Sequence, residues 1–426
     1  MKRFLKTGLG ALGLAWLLAA CLTQNPGTKV TVHLDDVTGQ TALPLAVAAA
    51  VGDSEWKRVL PDADGAYAFY VPEGETRYAV AVRCGGTLPL GAFAFVTSYY
   101  LTTDLTTEPL LGCATLGTVG VLEGTADVSQ IAVAQSLRVF GALNSDAVIA
   151  PSGSYNVYVA QRSDASAVLL AYDDTNQSPL QLAGGRVFQN LGAAGVIQKD
   201  LSLEPGDTIV GHTLDAFTVP SGWSGSYKAG FYGAGGALVP LGTLGVGNQA
   251  GDSFFSFGGG VEGDVFVVTA DANDGAARSL GQLFLMGPDA VGDLQPNLAF
   301  DPFDDTYSVD PATFPTFSLD HPNHPEGYLL MVSWPYTFSQ HLVSSDWLGN
   351  RTAFTVPDLT NLWGFEDIAP ATGEEVDWFL VAFTPSVEMG RFTSSPHYFQ
   401  DYLLPIPRIA GMKVDSAMVE GSFAAP

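Results

Sequence analysis

The chain has 426 residues, enough for two to four domains at about 100–200 residues each, so one small module is excluded. Hydrophobic types make up 47% and charged types 15%, which excludes a disordered or coiled-coil chain. Forty-four Asp and Glu against 18 Lys and Arg give a net charge of −26, a field that repels phosphate backbones and argues against nucleic acid as a partner.

The chain opens on a basic stretch, Lys2, Arg3 and Lys6, followed by an uncharged, largely apolar run from Gly8 to Ala20. A spanning helix needs about 20 such residues, so this run has the length of a signal peptide, residues 1–20. It ends Leu18-Ala19-Ala20-Cys21. The small residues let a peptidase approach the backbone, and a thiol is nucleophilic enough to take a thioether-linked lipid. These four residues resemble the bacterial lipoprotein lipobox. The resemblance implies cleavage before Cys21, lipidation of that cysteine including palmitate, and a mature protein held at a membrane through its N-terminal lipid. Two acyl chains anchor stably, at about 0.8 kcal/mol per buried CH₂, without any transmembrane segment. Cleavage leaves 15 Lys and Arg against 44 acids, a net of −29, so the body stands off anionic headgroups on the tether of residues 21–27. Leu22, in place of an aspartate retention signal, points to the outer membrane over the inner one.

Past the tether the hydrophobic period is two. Val30-Thr31-Val32-His33-Leu34, Tyr155-Asn156-Val157-Tyr158-Val159 and Val265-Phe266-Val267-Val268 are short, β-branched or aromatic, and bounded by turn residues. The 48 Gly and 26 Pro leave no room for long helices, and strands recur every 8–12 residues. An all-β chain of tandem immunoglobulin-like sandwiches is expected. Its segments are 28–122, then 123–286 as one large or two small sandwiches, a proline-interrupted linker 287–315, and 316–426.

In the first segment, Asp62-Ala63-Asp64-Gly65-Ala66-Tyr67-Ala68-Phe69-Tyr70-Val71-Pro72-Glu73-Gly74 is followed by Tyr78, Val80 and Val82. It reads as turn, strand, turn, strand, paired as a hairpin. The pattern resembles carboxypeptidase-regulatory-like and transthyretin-like sandwich modules, which implies a non-catalytic accessory domain. Cys84 and Cys113 are expected to pair outside the cytoplasm, with two buried free thiols as the alternative. In the middle segment Ser152-Gly153-Ser154-Tyr155 recurs 72 residues later as Ser224-Gly225-Ser226-Tyr227, leaving an internal duplication open. In the last segment, Phe317–Leu319, Gly327–Trp334, Ala353–Pro357 and Val376–Phe383 resemble strands B, C, E and F of fibronectin type III domains. The tyrosine of that family's corner is missing before Val376.

The sequence carries no nucleophile elbow, no His-Glu-x-x-His and no phosphate-binding loop. His321-Pro322-Asn323-His324-Pro325 reads as a solvated loop. Acids gather at Asp301, Asp304 and Asp305, and at Asp271, Asn273 and Asp274; either group offers hard oxygen ligands to calcium, though neither has the EF-hand spacing. Trp334 and Trp378 fall on strands and are expected in the core, whereas Trp347 and Trp363 fall on loops and are candidates for stacking on sugar or anchoring a partner. The function expected is that of a non-enzymatic, lipid-anchored envelope protein, structural or interactive, with no cofactor. A glycan- or calcium-binding lipoprotein is the alternative, and a hydrolase with an unrecognised site the third.

Overall fold

The computed structural model describes residues 27–88, 91–115, 118–131, 134, 136–173, 181–192, 195–246, 252–400 and 404–426. The signal segment and Cys21 lie outside the described residues. The chain is all-β, built of several sheets, with two short α-helices among the described residues, Ser345–Leu348 and Met389–Ser394. No helix among the described residues is long and apolar enough to cross a membrane.

A 12-stranded sheet runs through the molecule. Its strand order is Leu238–Val246, Ser224–Tyr232, Val265–Asn273, Arg278–Met286, Lys413–Ala424, Glu375–Pro385, Gly327–Trp334, Thr337–Ser344, Gly91–Thr102, Arg77–Leu88, Ala46–Val51 and Lys57–Val59. Every pairing is antiparallel except that of Thr337–Ser344 with Gly91–Thr102. All three folded segments expected from the sequence therefore contribute strands to one ladder. The C-terminal strand Lys413–Ala424 joins them, since Gly281 pairs with Ser416 on one side and Phe383 with the same Ser416 on the other. Residues 287–315 carry a short 3-10 turn and isolated bridges at Leu294 and Asp310, and lay Phe300, Phe303 and Tyr307 against the sheet.

The middle strands of this sheet carry apolar residues on both faces. One face, through Val80, Val82, Phe95, Tyr99 and Leu101, packs on the small sheet of Tyr67–Val71, Thr28–Asp35 and Leu110–Gly112. The disulfide Cys84–Cys113 crosses that core, its Cα atoms 5.7 Å apart. The opposite face, through Leu330, Val332, Trp334, Trp378 and Leu380, packs on Thr316–Ser318 and Ala353–Thr355. Trp334 and Trp378 are buried, as their strand positions require.

A third layer lies over the other end. In the sheet of Ser145–Ile149, Ser136–Phe140, Ala167–Asp173 and Gln181–Phe188, the run Ala167 to Tyr172 is buried on both faces. Val168, Leu170 and Tyr172 face Phe231 and Phe266 of the large sheet. Val139, Leu169 and Ala171 face Val157 and Leu122 of the outermost strands. The unbroken run Ala167-Val168-Leu169-Leu170-Ala171-Tyr172 follows from this, because a strand covered on both faces has no solvated alternate positions.

The expected hairpin after Asp64-Gly65 is corrected. Both strands form, and Gly65 and Gly74 take the positive φ the turns require. Tyr67–Val71 pairs with Thr28–Asp35, however, while Arg77–Leu88 pairs with Ala46–Val51 and Gly91–Thr102. The turn at Pro72-Glu73-Gly74 crosses from one sheet of the sandwich to the other. The two Ser-Gly-Ser-Tyr motifs each begin a strand and bury their tyrosine, one in the outer layer and one in the large sheet.

Candidate ligand-binding trough

Between the large sheet and a cover formed by the helix Met389–Ser394 and the hairpin His397–Gln400/Leu404–Pro407 lies a cavity of about 360 Å³. Ladder register brings its floor together. Ser279, Met418, Val381, Leu329, Leu342 and Tyr99 are successive partners across six strands, and all six line the cavity. With about 4.8 Å between strands, the row is about 24 Å long. The cavity is thus a trough lying across the strands, with Phe383 beside the row and Phe392 and Ile406 over it.

One end is closed and polar. Tyr99, Gln340 and His397 are each no more than 3% exposed. The backbone N–H of His397 donates to Asp35 Oδ2 at 2.8 Å, and its ring Nδ1 lies 3.1 Å from Asp35 Oδ1. Nε2 lies 3.2 Å from the Tyr99 hydroxyl. A proton on Nδ1 donates to the carboxylate and leaves Nε2 to accept from the phenol, a tautomer assigned from these partners. Burial, and secondarily the Asp35 charge, raise the Tyr99 pKa far above the ordinary 10, so the phenol stays protonated. Beside it, Oε1 of Gln340 is buried and meets no hydrogen-bond partner. Leaving such a group unpaired costs about 1–3 kcal/mol.

The other end opens to solvent at Lys228 and carries Thr269, Asp271, Ser279 and Ser416. Gly281 makes room for two of them: a Cβ there would stand 2.9 Å from Ser416 Oγ and 3.1 Å from Asp271 Oδ1. Burial pushes the Asp271 carboxyl up to about 6, with Lys228 pulling the other way. The folded state then holds more protons than the unfolded one between about pH 6 and 4, so this group adds stability as pH falls through that window. We expect Asp271→Asn to be more stable than the wild type at pH 7, with the gap closing by pH 4.5. Urea midpoints at the two pH values check this, and an equal gap at both contradicts it.

The residues singled out from sequence lie elsewhere, Asp271 excepted. Asp301, Asp304 and Asp305 are exposed, and Asp304 is occupied by the Thr306 N–H and hydroxyl at 2.9 and 2.8 Å. Among the described residues no group of three or more His, Cys, Asp or Glu is placed to hold a metal ion. Asp274 turns away from Asp271 to pair with Arg278 at 2.8 Å. His321 is not solvated: it is 1% exposed, packed against Phe300 and Phe303, and bonded through Nε2 to the Asp301 carbonyl at 3.1 Å. Trp347 is half-buried, its ring 4.9 Å from that of Tyr100 and covered by the Arg351 guanidinium at 3.9 Å. Trp363 is 62% exposed, with the Arg58 guanidinium stacked on it at 3.6 Å. Tyr99, Gln340, His397 and Asp35 were not legible as a site, because nothing in their spacing marks residues that meet only through strand pairing.

No protein-family profile and no curated protein sequence matches the chain. Among solved structures, a streptococcal ancillary pilin is similar at 10% identity and a TM-score of 0.14, over 63% of this chain and 99% of its own. The open conformation of the pilus adhesin SpaC from Lactobacillus rhamnosus GG is similar at 10% identity and a TM-score of 0.14, over 74% of this chain and 43% of its own. Likeness of that degree carries no inference about what the chain does.

Proposed function

We propose that the chain is a lipid-anchored, non-enzymatic protein of the cell envelope, held at the outer membrane through Cys21 and acting as a structural or interaction element. The carrying observation is the continuous sheet: strands from Ala46 to Ala424 form one ladder behind a leader that ends in a lipobox-like Leu18-Ala19-Ala20-Cys21. Such a body suits a rigid projection tied by a short tether. The Asp35, His397 and Tyr99 relay ends on a phenol kept protonated, which suits holding a hydrogen bond and not nucleophilic attack. In the last segment Thr316–Ser318 pairs with Ala353–Thr355 and Gly327–Trp334 with Glu375–Pro385, which supports the fibronectin-like resemblance.

Alkyne-palmitate fed to cells making the protein is expected to label it in the membrane fraction. Cys21→Ser loses the label and appears in the soluble fraction. An unlabelled wild type, or a Cys21→Ser form that stays with the membrane, contradicts the anchor. A second reading, binding of a small ligand, is favoured by the trough, whereas Trp347 is engaged in packing and Asp301, Asp304 and Asp305 do not line that cavity.

A further inference from the structure

We propose that the trough binds a single-chain amphipath, a long-chain alcohol in chemical class, with its hydroxyl on the Gln340 amide and its hydrocarbon along the row from Leu342 to Met418. The inference rests on the ligand-binding reading above and names its ligand.

Shape comes first. About 360 Å³ lying along a floor row of about 24 Å makes an elongated cavity, a shape suited to one extended chain. Chemistry of the walls comes second. Leu329, Leu342, Val381, Phe383, Phe392 and Met418 form an apolar belt between the polar ends, where each buried methylene contributes about 0.8 kcal/mol.

The closed end selects the head group. The unpaired Oε1 of Gln340 requires a donor, and with amide oxygen and nitrogen interchangeable by a flip, a hydroxyl, which both donates and accepts, satisfies either orientation. An ammonium would have to be desolvated beside groups that are no more than 3% exposed. A carboxylate at the closed end would be desolvated on the side of Asp35 behind His397, while Lys228, the lysine lining the trough, stands at the opposite end. A neutral head avoids both costs.

Equilibrium dialysis of the full mature chain carrying Cys21→Ser, with radiolabelled 1-dodecanol, dodecanoate and dodecylamine as probes, tests this. The expected result is saturable one-to-one binding of 1-dodecanol, with dodecanoate and dodecylamine at least tenfold weaker. Gln340→Leu weakens dodecanol at least tenfold without losing the cooperative melt, and Leu329→Trp, which fills the slot, abolishes binding. Non-saturable uptake of dodecanol, equal affinity for dodecanoate, or Gln340→Leu binding as tightly as the wild type overturns the proposal. Palmitate labelling at Cys21 is read separately. A labelled, membrane-held chain that ignores dodecanol removes the ligand and leaves the envelope role, and an unlabelled chain that binds it does the reverse.

Discussion

Replacing Cys84 and Cys113 together by alanine is expected to lower the unfolding free energy by about 3.6 kcal/mol, the chain-entropy value for closing a loop of about 30 residues. The pairing joins Arg77–Leu88 of the large sheet to the segment following Leu110–Gly112 of the small one, so it fastens the two layers of the first sandwich across their shared core. Neither cysteine has any exposed surface. Urea unfolding of the oxidised wild type beside the double variant measures the difference. Midpoints differing by less than the equivalent of about 1 kcal/mol, or two reactive thiols in the denatured, unreduced wild type, contradict the bridge's role.

Acidification is expected to remove about 4 kcal/mol of stability through His341 alone. This imidazole is 1% exposed, its Nδ1 2.6 Å from Ser98 Oγ and its Nε2 2.8 Å from Ser339 Oγ, with Tyr100 and Phe354 against the ring. Burial among hydroxyls and aromatic rings, with no carboxylate at hand, pushes its pKa down to about 3. The unfolded chain takes up this proton near pH 6.5 and the folded chain does not until about 3. Stability therefore falls by about 1.4 kcal/mol per pH unit through the interval. Asp271 acts with the opposite sign between about 6 and 4, so the whole-protein curve mixes the two. His341→Gln separates them. At pH 7 the wild type is the more stable form, and by pH 3.5 its advantage has shrunk by about 4 kcal/mol. Parallel stability curves for the two forms would contradict a neutral, buried His341.

The all-β character was legible because alternation is a local signal. Val80 and Val82, or Leu330 and Val332, declare which positions share a face. Partner choice is not local. Tyr67–Val71 and Arg77–Leu88 look like consecutive arms of a hairpin, and only packing of two layers decides that they belong to different sheets. The same limit hid the joining of the segments. Nothing in Lys413–Ala424 states that it will insert between Arg278–Met286 and Glu375–Pro385, two strands nearly 90 residues apart in sequence. The cysteine pairing was readable by count, since two remained after Cys21. The trough was not, because Gln340 and His397 are ordinary residues until register and cover strand them beside Tyr99. Asp271 did stand out as an acid near others, but its burial on a cavity wall follows from the strand's position.

That one hydrogen-bonded sheet binds the three segments into a single body is open to scanning calorimetry of the full chain beside a form ending at residue 412. The strand thereby removed lies in the middle of the ladder, so its loss leaves Arg278–Met286 and Glu375–Pro385 without partners on that side. The full chain is expected to melt in one cooperative transition, and the truncated form to lose the melting of residues 224–286 along with that of residues 316–412. Separate transitions in the full chain, with the earlier segments melting at unchanged temperature after truncation, would contradict it.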